Sequence, residues 1–169
     1  MAKRSNESSG MWILAGLIAV IAGLGILGTG AFRGMGTPTS ERTTREVAMS
    51  CTTDPATKFH IHPELEILIG SAKQELPANI GVKPLCMNPL HTHDATGVIH
   101  VESPEPRDFT LGDFFAVWDK PFSKDQVLDS RADDTHEVVM TVDGQPSTEF
   151  ENLVLRDKQK VRIEYRAKQ

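Results

Sequence analysis

The chain has 169 residues, 39% of them hydrophobic and 24% charged, with a formal net charge of −5. That length allows one ordinary domain plus an accessory segment. The acidic balance argues against a nucleic-acid binder, whose phosphate contacts need a basic face, and suits a protein whose ligands are cations. The charge is uneven: residues 1–46 carry five Lys/Arg and three Asp/Glu, net +2, while residues 47–169 carry thirteen and twenty, net −7.

Residues 1–10 are polar and read as a cytoplasmic head. Residues 11–32, MWILAGLIAVIAGLGILGTGAF, carry no charge. A run of that length is enough to cross a bilayer as a helix, which predicts a transmembrane signal anchor. Its apolar core exceeds that of a typical signal peptide; the small residues Gly28, Thr29, Gly30 and Ala31 make cleavage the alternative. Lys3 and Arg4 precede the run and Arg33, Arg42 and Arg45 follow it, so charge alone does not orient it. A short head before a large domain favours a single-pass membrane protein with its C-terminal domain outside the cytoplasm. Residues 33–50, rich in Gly, Pro, Ser, Thr and charge, predict a linker, and residues 51–169 the extracytoplasmic domain.

Within that domain, Phe59 to Ile69 alternates in a period of two broken at Pro63, which predicts a strand at an edge or bulge. A turn at 70–73 and a strand over 74–82, interrupted by Pro77, complete a hairpin. Residues 83–96 read as loop, and Val98 to Glu102 as a short strand. Phe109 to Trp118 reads as a helix, with Thr110 as N-cap, Asp113 closing a capping box, and Leu111, Phe114, Phe115 and Trp118 toward the core. Residues 119–135 read as polar loop with a short helix at 123–129. His136 to Val142 leads into an Asp143-Gly144 turn and a partner strand over 145–150. Residues 160–166 alternate as a last strand, with Val161, Ile163 and Tyr165 inward. This order predicts an α+β fold of two layers, a mixed β-sheet with one main helix. A β-grasp-like arrangement is the first expectation and a cupredoxin-like β-sandwich the alternative.

The chemistry concentrates between Phe59 and Glu102. Five of the six histidines, His60, His62, His91, His93 and His100, fall within 41 positions. His60/His62 and His91/His93 share an i, i+2 spacing, which in extended chain points both rings of a pair to one side. Imidazole suits copper, zinc, nickel and iron. The two pairs are therefore the expected metal ligands, with His100 as a fifth or an alternate. The expected ion is copper before zinc: four nitrogens in tetragonal geometry favour Cu(II), and a tetrahedral site with an open position favours zinc. Asp94, Glu102 and Glu64 are candidate acceptors that would fix ring tautomers. The bland alternative is five surface histidines on loops and edge strands. His136, beside Asp134 and Glu137, stands apart as a solvated strand-end residue.

Cys51 and Cys86 are the two cysteines. Outside the cytoplasm they are free to pair, and a disulfide closing that loop stabilises by roughly 4 kcal/mol on the chain-entropy account. The alternative uses Cys86 as a thiolate ligand beside Met87 and His91. No H-E-x-x-H, nucleophile elbow, phosphate-cradling glycine loop or C-x-x-C is present.

The segments FHIHPELEILIG, LPANIGV, CM, LHTHDATGVIHVE and FTLGDFFAVW resemble those of a group of uncharacterised membrane-anchored or secreted prokaryotic proteins. The resemblance covers roughly residues 51–123. It implies an anchored or secreted layout, brings no established activity, and assigns the histidines no role. The functional expectation is a membrane-tethered metal-binding domain serving as chaperone, sensor or delivery site, with the membrane, a metal ion and a protein partner for metal transfer as its contacts. A metal-dependent extracytoplasmic enzyme and a partner-binding surface domain without metal are the alternatives.

Overall fold

The computed structural model describes residues 41–53 and 57–169. The head, the predicted span over 11–32 and the start of the predicted linker lie outside the described residues. Among the described residues no helix is long and apolar enough to cross a membrane.

The first element among the described residues is a short helix, α1 (Thr44–Ala48), inside the stretch predicted as linker. Thr43 and Glu46 form a capping box that satisfies its first amides. Val47 and Ala48 are buried in the core, so the folded unit begins before Cys51. Composition hid this: a five-residue helix gains almost nothing from propensity and is held by packing.

Pro63 divides the predicted first strand into β1 (Phe59–Ile61) and β2 (Glu64–Ile69), which belong to different sheets. Proline offers no amide to a ladder, and its carbonyl instead accepts from the Ile99 amide. A turn at Gly70-Ser71 leads to β3 (Ala72–Gln74), much shorter than the strand expected over 74–82. Three two-residue strands follow, β4 (Val82–Lys83) where the predicted strand gives way to the predicted loop, then β5 (Cys86–Met87) and β6 (Leu90–His91) within that loop. Then come β7 (His100–Ser103) and the main helix α2 (Leu111–Val117). Instead of a helix at 123–129, the chain forms a three-stranded antiparallel patch, β8 (Phe122–Ser123), β9 (Gln126–Val127) and β10 (Ser130–Arg131). The hairpin β11 (His136–Val142) and β12 (Gln145–Ser147) turns at Asp143 and Gly144, both with positive φ, as a tight two-residue hairpin requires. A 3₁₀ turn over Phe150–Asn152 precedes β13 (Lys160–Ala167).

Five strands form one mixed sheet in the order β12-β11-β13-β2-β3. Only β13 and β2 are parallel, and β13 sits between the two hairpins. The predicted α+β character, a mixed sheet with one main helix, is what the chain adopts. Along one row of this sheet Met140 pairs with Ile163, and Ile163 with Ile67, all three buried. They join Leu111, Phe114 and Phe115 of α2 in one continuous core.

The cap of α2 is as the sequence implies: the Asp113 carboxylate accepts from the Thr110 amide and hydroxyl. Its other oxygen lies 3.0 Å from the Arg45 guanidinium. The buried Asp113 thus fastens α1 to α2. Trp118 follows the helix, half-buried, at its C-cap.

A smaller antiparallel sheet, β1-β7-β6, carries the histidine-rich segments. It joins the main sheet at the start of β2, where the Leu65 amide donates to Gly97 O at 2.8 Å. Gly97 has φ +97, and a Cβ there would stand 2.5 Å from Leu65 O. Cys51 and Cys86 form a disulfide, so Cys86 is no thiolate and the thiolate–imidazole–thioether alternative falls. The bond fixes the chain leaving α1 to β5, where Thr52 also pairs with Met87.

Two outcomes follow for urea unfolding. Gly97→Ala lowers stability by about 1–3 kcal/mol, and by more than Gly70→Ala, whose Cβ would meet nothing within 4 Å. Reducing the disulfide, or replacing both cysteines by alanine, lowers it by about 2–4 kcal/mol. Equal losses at the two glycines, or an unchanged midpoint on reduction, would contradict these assignments.

Candidate metal centre

The small sheet explains why the histidines meet. β7 is its middle strand, with His60 opposite Glu102 on one flank and His91 opposite His100 on the other. Side chains alternate across a strand, so these four share one face. Leu90 and Val101 point the other way and are fully buried. The i, i+2 spacings then bring His62 and His93 to the same face. His100 therefore lies at the centre, with ring centroids 5.9 and 4.8 Å from His60 and His62, and 5.4 and 4.6 Å from His91 and His93.

Two groups of candidate ligand atoms result, His60/His62/His100 and His91/His93/His100, each with its nitrogens within 4.8 Å of one another. His91 Nε2 and His93 Nε2 are 3.2 Å apart. Two nitrogens bound to one ion at about 2.0–2.1 Å lie roughly 3–3.5 Å apart, so this pair already stands at ligand spacing. The sequence expectation had all four paired histidines on one ion with His100 as an accessory. The geometry instead makes His100 the member common to both groups.

The outer nitrogens of two rings are spoken for. The His91 Nδ1–H donates to Asn88 O at 3.0 Å, which leaves Nε2 as a lone pair directed toward His93. His60 Nε2 lies 3.0 Å from Glu102 Oε1, which leaves Nδ1 as the candidate ligand atom. Metal-bound histidines are oriented by this kind of acceptor behind the ring. His100 Nδ1 is buried and has no hydrogen-bond partner. An unpaired buried nitrogen costs about 1–3 kcal/mol, and a cation would relieve that cost.

Of the three acidic residues singled out in the sequence, Glu102 stands beside a histidine of the cluster, His60. Asp94 Oδ1 instead accepts from the Thr96 amide and hydroxyl. Those bonds hold its carboxyl below the usual range. Glu64 opens β2 opposite Lys160, in the other sheet. Asn88 and Asp157 are residues the sequence reading missed. Asp157 Oδ1 accepts from the His62 amide at 3.0 Å and lies 3.8 Å from His62 Nδ1. It is 95 positions away from His62 in the chain, and no local pattern announces it. His136 stands outside the cluster, its ring stacked on Tyr165 at 5.1 Å and its amide bonded to Asp133.

Burial depresses the His91 pKa, outweighing the Asn88 carbonyl and Glu102, which favour the protonated ring. Burial likewise depresses that of His100, followed by the neighbouring His93, His62 and His91. Each shift favours the neutral ring, the form in which an imidazole binds a metal. A cavity of about 80 Å³ adjoins the cluster, lined in part by Met87, Asn88, His91, Glu102 and Ser103.

Compared with known protein families, curated proteins and solved structures, the chain matches none.

The depressed pKa values set a pH dependence for the metal-free protein. Below the ordinary imidazole value of about 6.5, the unfolded chain takes up protons that folded His91 and His100 do not. Stability is therefore full above that pH and falls as pH drops beneath it. Urea midpoints in chelator between pH 7.5 and 5 should decline, and decline less in His100→Gln. A flat profile would show that these rings are not held neutral by the fold.

Proposed function

We propose that the chain is a membrane-tethered, extracytoplasmic domain that binds a transition metal, copper before zinc, as a chaperone, sensor or delivery protein. The observation that carries the reading is the meeting of four imidazoles around a fifth, His100, with His60 and His91 each anchored from behind by an acceptor. All-nitrogen donor sets suit late first-row ions, and among these Cu(II) binds such donors more tightly than Zn(II). The uncharged run at 11–32 and the resemblance to anchored or secreted proteins support the placement. The disulfide agrees with an oxidising compartment. Exposed His60 and half-buried His62, with side-chain exposures of 44% and 41%, suit transfer to a protein partner. For the fold, two hairpins flanking a terminal strand parallel to β2, with α2 between the hairpins in sequence, support the β-grasp reading over the cupredoxin one.

A metal-dependent enzyme is the second reading. Three protein ligands leave a coordination position open, and the cavity beside His91 gives a small molecule somewhere to sit. Against it, neither Glu64 nor Asp94 stands ready as a general base: Glu64 lies in the main sheet, and Asp94 is bonded to Thr96.

The test is thermal unfolding of the purified full chain with and without Cu(II) or Zn(II). An ion at one hundred times its Kd stabilises by about 2.7 kcal/mol. The shift should be largest with Cu(II), nearly vanish in His100→Ala, and persist in His136→Ala. No shift with either ion, or an undiminished shift in His100→Ala, would remove the proposed ligands.

A further inference from the structure

We propose that the cluster takes two divalent ions, one in each triad, with His100 lending one ring nitrogen to each. This rests on the metal-binding reading above and adds the number of ions and the identity of the bridge.

The strand order carries the inference. His60 and His62 belong to the β1 flank of β7, and His91 and His93 to the β6 flank. The outer strands of a three-stranded sheet lie about 9–10 Å apart. Two nitrogens on one ion, at bonds of about 2 Å, cannot be more than about 4 Å apart. The two triads meet only in His100, the ring on the strand between them. An imidazole presents its two nitrogens in divergent directions. Ions bound to both would sit about 6 Å apart, given bonds of about 2 Å at each side of the ring.

His100 is also the ring whose own hydrogen bonding is incomplete, since its buried Nδ1 has no partner. Each triad further brings its own anchored ring, His60 on Glu102 and His91 on Asn88 O. Neither triad thus depends on the other for a fixed ligand, and each supplies three nitrogens when His100 is counted in both. The first ion takes the lone pair of neutral His100. The second takes the nitrogen that carried the N–H, and that proton leaves to water. The resulting imidazolate charge is shared by two cations.

The experiment counts copper. The full chain, stripped with chelator, is loaded with Cu(II), desalted and assayed for copper per chain, with electron paramagnetic resonance on the same samples. The wild type should hold two ions, and the resonance should be weakened by coupling through the shared ring. His60→Ala/His62→Ala should hold one ion with a full mononuclear signal. His93→Ala, an exposed site, should also fall to one, and His136→Ala should keep two. Circular dichroism checks that each variant is folded, and the wild-type coupling decides the bridge without any variant. One ion in the wild type overturns this inference and leaves the metal-binding reading standing. No ion overturns both. Two uncoupled ions, or two ions in His60→Ala/His62→Ala, place the second ion away from His100 and overturn the bridge.

Discussion

The arrangement of the site depends on β7 having a neighbour on each side. A strand paired on one edge would face one histidine-bearing segment; paired on both, it gathers two. The register does the rest, because a slip by one residue would turn every ring of a segment to the opposite face. That register is pinned from behind. Leu90 and Val101, opposite each other and fully buried, belong on the core face and cannot be exchanged for imidazoles. The apolar side of a four-residue strand thus specifies the polar side.

Holding such a cluster without a cation is unfavourable in two respects, and the fold answers the first and, at two of the rings, the second. Like-charged rings would repel, and burial discourages protonation of His91 and His100 before that arises. The rings also need partners, and Asn88 O and Glu102 supply them to His91 and His60. Asn88 is itself fixed, since its side-chain amide donates to Ala48 O at 3.0 Å. A helix that composition concealed therefore supports, through one asparagine, the most buried ring of the site.

Elements with a strong local signal were legible in the sequence. β11 and the Asp143-Gly144 turn follow from alternation and the need for positive φ. α2 follows from Thr110, Asp113 and the spacing of Leu111, Phe114 and Phe115. The histidine pairs were legible because an i, i+2 spacing has one meaning in extended chain. What stayed hidden depends on distant pairing. Strands of two residues, such as β6 and β8 to β10, have no periodicity to read, and they exist because a partner lies alongside. The centrality of His100 depends on which strands flank β7, a fact of topology that its own VIHVE setting does not contain. Asp157 is the extreme case, joined to His62 across nearly the whole domain.

The middle of the large sheet is occupied by the strand farthest along the chain. Both hairpins, one ending at β3 and the other at β12, dock onto β13 and have no direct pairing with each other. A ribosome delivers residues in order, so the two halves wait as unpaired edges until Lys160–Ala167 arrives. The segment just before that strand, with Asp157, meets His62 in the same closing event. On the metal-binding reading, loading would therefore come late in the life of a new chain, and a nascent copy stalled short of its last strand would have the histidines but no settled cradle for them.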